Sequence, residues 1–264
     1  MISRNLDKAK KAYLMRDPDM SRQAHSRPVE EAGEEHKQTA GRYIKSLVYG
    51  GLDGIITTFA VVAGVAGASL SSGVVLILGF ANLIADGLSM AIGDYLSTKA
   101  ETEYNRAERE REAWEVDHYP EGEKREMVEL YTAKGLSPRE AETITEILSR
   151  KREAWVSIMM VEELGILESE ESPLRNALVT FVSFVVFGFV PLLIYVLSGF
   201  FPALKSSSFP LSIVLTASTL FTLGALKVRF TNRNALVSGL EMMLVGGIAA
   251  AAAYGIGVLL SGLA

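Results

Sequence analysis

Asp53 stands inside YGGLDGIITTFAVVAGVAGAS (49–69), a run otherwise apolar enough to cross a bilayer. An ionised carboxylate in hydrocarbon costs roughly 3 kcal/mol on insertion scales, so such a residue is rarely without a function. A second run, NLIADGLSMAIGDYLS (82–97), sets Asp86, Met90 and Asp94 at intervals of four, which is one face of one helix. Glu241 lies in a third such run, and none of the runs contains an interior Lys or Arg to neutralise these acids. Any one of them alone reads as a proton-neutralised structural acid. Several unpaired acids with a methionine alongside read better as a path for a cation.

A second group lies in polar sequence. Glu112 and Glu115 are three apart and share a helix face, as do Glu123 and Glu126 beyond a turn at Pro120 and Gly122. An antiparallel hairpin there brings the two pairs together, and converging carboxylates repel unless a cation sits among them. Hard divalent cations prefer such oxygen ligands. Further on, SIMMVEEL places Met159 and Met160 within one turn of Glu163. Thioether sulfur beside carboxylate suits a borderline ion such as Fe²⁺ better than Mg²⁺ or Ca²⁺. Each pair alone is weak, because glutamate is common on helices and methionine is usually core filler.

The elements that must position these residues follow from hydropathy and charge. The chain has 264 residues, 49% of them hydrophobic, with mean hydropathy +0.24, which is too apolar for an average soluble domain. Five apolar stretches, at about 46–69, 72–97, 174–199, 209–227 and 235–262, are near or above the roughly 20 residues a bilayer requires. The first and last are rich in Gly and Ala, which lets membrane helices approach closely. Of the 26 Lys and Arg residues, 25 fall in the N-terminal tail, the block 98–175 and the loop KVRFTNR, leaving only Lys205 opposite. That asymmetry predicts five spans, the N-terminus and the large polar block in the cytoplasm, and the C-terminus outside. On this topology Asp53 and Met90 lie seven residues from the cytoplasmic ends of their spans, about 10 Å deep, with Glu241 at similar depth.

The predicted fold is therefore an all-α membrane protein of five transmembrane helices with a cytoplasmic helical insert between spans two and three. The domains are a polar tail (1–42), spans one and two (43–97), an acidic helical block (98–172) and spans three to five (173–264). The block carries 20 Asp/Glu against 11 Lys/Arg. It continues span two outward, turns at Pro120 and Gly122 into a second helix ending at Gly135, and then runs as one further helix from an N-cap at Ser137 with proline next. The chain has no cysteine, so disulfides, thiolate metal sites and cysteine catalysis are excluded. Its net charge of −5 and lack of a basic, aromatic-studded stripe argue against nucleic acid as a partner. The first 43 residues lack the apolar core of a secretory signal.

YGGLDGIITTFAVVAGVAGAS, NLIADGLSMAIGDYLSTKAETEY and MMVEELGI, arranged as two spans, an acidic helical insert and three spans, resemble the vacuolar iron transporter family over residues 43–264. This family includes plant, yeast and prokaryotic proteins. The resemblance implies a homodimer exchanging cytosolic Fe²⁺ for protons through a pore between the subunits, lined by their first spans. It implies that Asp53 and Met90 form the transport site. Glu112, Glu115, Glu123, Glu126, Met159, Met160 and Glu163 would then form a cytoplasmic metal-binding domain. Asp86 and Glu241 rest on the depth argument instead. No tightly bound cofactor is implied: Fe²⁺, or Mn²⁺, Co²⁺ or Zn²⁺, is substrate, and ligand type does not separate these ions.

Two rival classes are weaker. EVDH supplies one Glu-x-x-His, Glu115 with His118, as in membrane-anchored di-iron oxidases. Such sites need two of these motifs on separate helices and two further glutamates, and the other histidines, His25 and His36, lack the spacing. A receptor whose insert binds a protein partner leaves the intramembrane acids unexplained. The sequence shows no organelle address, and Asp86 points to the bacterial and archaeal branch. The expected location is a prokaryotic plasma membrane, with export as iron detoxification, although a vacuole-like compartment has the same topology.

Overall fold

The computed structural model describes residues 6–25, 44–167, 172–231 and 234–263, and every regular element among them is helical. Two parts of the predicted tail, 1–5 and 26–43, lie outside the described residues, His36 among them. The same holds for 168–171 at the end of the polar block and for 232 and 233 of the basic loop.

The chain divides into two compact units, residues 1–45 and 46–264. In the first, α1 (Leu6–Met15) and α2 (Pro18–His25) form a small helical hairpin. Asp17 starts α2 by accepting the N–H groups of Asp19 and Met20 on Oδ1, both at 3.0 Å, with Pro18 at the first helical position. Ala12 and Ala24 are fully buried, and Lys8 Nζ donates to Gln23 Oε1 at 3.0 Å.

The second unit holds α3 (Ile44–Gly67) from Ser46 onward, followed by α4 (Ser72–His118). At 47 residues, α4 is one continuous helix of about 70 Å. Its apolar part ends near Ser97 and the remainder projects as charged helix. After the insert come α8 (Pro173–Gly188) and α9 (Val190–Phe200), then α10 (Ser208–Thr231) and α11 (Ala235–Leu260). Four helices are long and apolar enough to cross a membrane, or five if the bent pair α8–α9 is one span. The chain is thus an all-α, multi-pass membrane protein.

The bend is where the structure departs from a single straight third span. α8 and α9 meet at 48° around Phe189. Pro191 has no N–H to return to the carbonyl of the preceding turn, and its ring crowds that carbonyl. Ser212 of α10 braces the break by donating to the Pro191 carbonyl at 2.7 Å.

α3 is the central helix. Phe59, Val62 and Val65 pack with Val75 and Leu83 of α4, Phe184 of α8, and Leu192 and Tyr195 of α9. Ile55 packs with Leu220 and Leu223 of α10 and Met242 of α11. The backbone of Gly54 lies directly against that of Phe184, while Gly64 meets Gly257 of α11 in the same manner. By contrast, Ile77, Ile84, Leu88, Ile92 and Leu96 on α4 are exposed at helical spacing, as are Leu240, Leu244 and Ile248 on α11. In a bilayer such faces meet lipid or another apolar surface.

The insert comprises the outer part of α4 with α5 (Pro120–Ala133), α6 (Pro138–Leu148) and α7 (Arg152–Glu162). The single helix expected from Ser137 is broken at Ser149–Lys151. Lys151 is extended there, and Arg152 turns back to grip Asp117 of α4 with two contacts of 2.7 Å. Arg109 adds bonds to Glu153 and Ser157, and Lys134 pairs with Glu162. The break lets α7 fold onto α4, burying Val116, Met127, Trp155, Val156, Met159 and Met160 in one cluster.

Candidate functional site

In the membrane part, α4 presents Asn82, Asp86, Met90 and Asp94 along one face, one turn apart. Asp53 of α3 is half-buried, and it is near enough to Asp86 for the two carboxylates to repel. The Asp53 carbonyl accepts the Thr57 hydroxyl at 2.8 Å, and no hydrogen bond from another described residue reaches its carboxylate. Met90 is half-buried against the cluster that holds Phe59 and Phe184. Asn82 Nδ2 is buried, with no hydrogen-bond partner among the described residues, one turn from Asp86. The structure therefore brings Asp53 to Asp86, with an amide above and a thioether below on α4.

Asp94 and Glu241 are placed differently. Asp94 Oδ2 accepts the hydroxyls of Thr180 (2.5 Å) and Ser46 (3.2 Å), tying α4 to α8 and α3. Asn176 donates to Thr98 Oγ1 at 3.3 Å one turn further out. Glu241 is exposed on α11 beside Leu240 and Leu244, without a hydrogen bond or ion pair to another described residue. Within this chain it is not joined to Asp53.

In the insert, one carboxylate oxygen from each of Glu112 (α4), Glu123 (α5) and Glu163 (just beyond α7) lies within 4.8 Å of the others. The turn Tyr119–Gly122 folds α5 back on α4, and the packing of α7 delivers Glu163. Glu112 is 1% exposed and Glu123 5%, whereas Glu163 stands at the open rim of the group. Neither oxygen of Glu112, nor Oε2 of Glu123, meets a donor from another described residue. A buried carboxylate without a donor requires a proton or a cation.

The proton affinities agree with that geometry. Burial pushes Glu112 up to about 8, helped by the facing Glu123 and by the charges of Glu163 and Glu115. Glu123 is raised by burial first, with Glu126 and Glu115 adding and Arg111 opposing. Glu163 is raised by partial desolvation, then by Glu126 and Glu123.

A pH dependence follows. The folded protein keeps the Glu112 proton up to about pH 8, whereas an unfolded glutamate releases it near 4.5. Stability from the protonated group is present at low pH and lost as pH rises through that window. Amide protection around residues 112–123 of metal-free protein should therefore fall between about pH 5 and 8, and Glu112→Gln should flatten the dependence.

The other residues singled out from sequence take secondary positions. Met159 and Met160 are buried in the apolar core of the insert, joined by Met127, which helix spacing alone does not mark. Glu126 is exposed, but its charge reaches Glu123 and Glu163. Glu115 is held by Arg111 at 2.9 Å. His118 stacks on Trp114, with ring centroids 4.4 Å apart and Nδ1 2.8 Å from the Trp114 carbonyl. His118 is not one of the three grouped residues, and neither member of the Glu-x-x-His pair belongs to that group.

The VIT family profile matches residues 44–258. The chain is 42% identical to a vacuolar iron transporter of Toxoplasma gondii over 268 residues, covering 97% of this chain and 89% of that protein. It is 35% identical to the vacuolar iron transporter of Plasmodium falciparum, covering 98% of each. Similarity to vacuolar iron transporter 1 of Arabidopsis thaliana is 34% over 217 residues, 82% of this chain and 85% of the relative. These relatives are eukaryotic and are named for the vacuole, which overturns the expected prokaryotic plasma membrane. An acid in span two and lopsided basic loops report depth and sidedness, and neither distinguishes one membrane from another.

Proposed function

The chain belongs to the VIT family, and from that premise we propose that it carries Fe²⁺ and related first-row dications out of the cytosol into a vacuole-like compartment in exchange for protons. Family membership makes it a transporter and not an enzyme, with a divalent metal as substrate. The observation that carries the reading is the nearness of Asp53 to Asp86, close enough for their charges to repel, inside apolar helices with no basic residue in their spans. Such acids are stable in a membrane only with protons or cations bound.

The proposed path starts at the insert, on the cytosolic side. Glu112, Glu123 and Glu163 take up the dication and release protons. The ion leaves them for the membrane mouth and reaches Asp53, Asp86 and Met90. There carboxylate oxygen and thioether sulfur replace part of its water shell, a donor set suited to Fe²⁺. Protons arriving from the far side neutralise the carboxylates and release the ion, which couples the two flows. Two copies of the chain, with their first spans facing, would complete the pore.

The test is metal flux into vesicles that contain purified protein and a pH-sensitive dye. Fe²⁺ movement matched by opposite proton movement is expected. Flux without proton movement would leave a channel or uniporter. Alanine at Glu112 and Glu123 should lower flux at limiting iron by about tenfold and change it little at saturating iron, because those residues collect ions and do not conduct them.

A further inference from the structure

One glutamate implied as a metal ligand is already engaged. Glu115 lies one turn beyond Arg111 on α4, and Arg111 Nη1 donates to its Oε2 at 2.9 Å. The same guanidinium holds Glu108 Oε2 from the other side, through Nη2 at 2.7 Å and Nε at 3.1 Å. Arg111 thus spans two acids on one helix face. Glu115 is absent from the group whose oxygens lie within 4.8 Å of one another, although its charge is felt by Glu112, Glu123 and Glu163. Arg111 is also the basic residue whose charge opposes the raised proton affinities of Glu123 and Glu163.

We propose that Arg111 is a tethered counter-ion that holds Glu115 back from the metal-free site and yields it when a dication binds. Arg111 is a positioning residue: it acts on the metal through Glu115. Glu112, Glu123 and Glu163 receive the ion, and Glu115 then exchanges its guanidinium partner for the metal while Arg111 keeps Glu108. Two consequences follow. The fourth carboxylate is kept from adding another negative charge to an already repulsive empty site. The metal must also compete with an internal cation, which lowers its affinity and shortens its stay.

The inference rests on the metal-site reading proposed above, and a double-mutant cycle separates the two. Mn²⁺ binding to the full chain in detergent is measured by calorimetry for wild type, Arg111→Gln, Glu115→Gln and the double variant, with Glu112→Gln as the reference for the site. Breaking a half-exposed ion pair frees Glu115, so Arg111→Gln should tighten binding about three- to fivefold. At least half of that gain should vanish in the Glu115→Gln background, where there is no carboxylate left to release. Arg111→Lys, which keeps the charge but cannot fork two carboxylates, should fall between wild type and Arg111→Gln.

An undiminished gain in the Glu115→Gln background would overturn the proposal, because Arg111 would then act as a field charge alone. Weaker binding by Arg111→Gln with unchanged melting would overturn it as well. If Glu112→Gln binds Mn²⁺ like wild type, the site reading itself fails, and the proposal falls with it.

Discussion

Asp53→Asn is expected to reduce metal flux on the order of 100-fold or more while leaving the protein folded, by analogy with losses seen when groups supporting a metal are removed. Asparagine keeps the volume and one carbonyl oxygen but not the charge. A dication that has shed part of its water shell needs that charge to offset the lost hydration. The fold has no such need. The Thr57 hydroxyl donates to the Asp53 backbone carbonyl, which asparagine retains. Removing the charge also relieves repulsion with Asp86, so the melting temperature should stay level or rise. Vesicle flux and a detergent melt on the same preparation decide the matter. Wild-type flux in the variant would remove the metal from Asp53. Lost flux with a lowered melting temperature would make Asp53 a structural acid.

The second large effect is expected one residue along. A methyl group at Gly54 would collide with the carbonyl oxygen of Phe184 and stand 3.0 Å from its carbonyl carbon and Cα. These are backbone atoms, so no side chain can rotate out of the way, and α3 would have to move off α8. Gly54→Ala should therefore destabilise by about 1–3 kcal/mol, despite alanine's helix preference of about 1 kcal/mol. Flux should fall too, because the shift displaces the neighbouring Asp53. Gly93, which has open space where its Cβ would go, is the control: Gly93→Ala should melt at or above the wild-type temperature. Equal melting for both variants would mean that the two helices do not rely on that contact.

The long apolar helices and the acidic helical excursion were legible because hydropathy and charge are written along the chain and need no tertiary knowledge. The turn at Pro120 and the cap at Ser137 were legible as well, since each rests on a few adjacent residues. In the structure Ser137 and Glu140 bond one another reciprocally, with Ser137 N–H donating to Glu140 Oε2 at 2.9 Å. Other features depend on partners far away in sequence. Asp94 shared a helix face with Asp86 and Met90, yet hydroxyls from two other helices occupy it. The break before α7 has no proline or glycine to announce it, and it is fixed by Arg152 reaching back 35 residues to Asp117. Spacing put Glu112 with Glu115 and Glu123 with Glu126, whereas the structure groups one of each pair with Glu163. Residues three apart on a helix differ in direction by about 60°, enough to aim one at the group and leave the other at its edge. Pro191 did mark the bend in the third span, a signal that span length alone passes over.

The unbroken helix α4 has a kinetic consequence. Met90 and Glu112 are both on it, 22 positions apart, which at 1.5 Å per residue is about 33 Å. No side chain bridges that gap, and it is about four screening lengths at physiological salt. On the proposed path, an ion captured by the insert must therefore dissociate fully into water before it can be conducted. With steered capture near 10⁹ M⁻¹ s⁻¹, a site of nanomolar affinity would let go only about once per second. A rigid rod of this length thus sets a ceiling on how tightly the insert can hold its cargo: the faster the transporter turns over, the weaker its outer grip has to be.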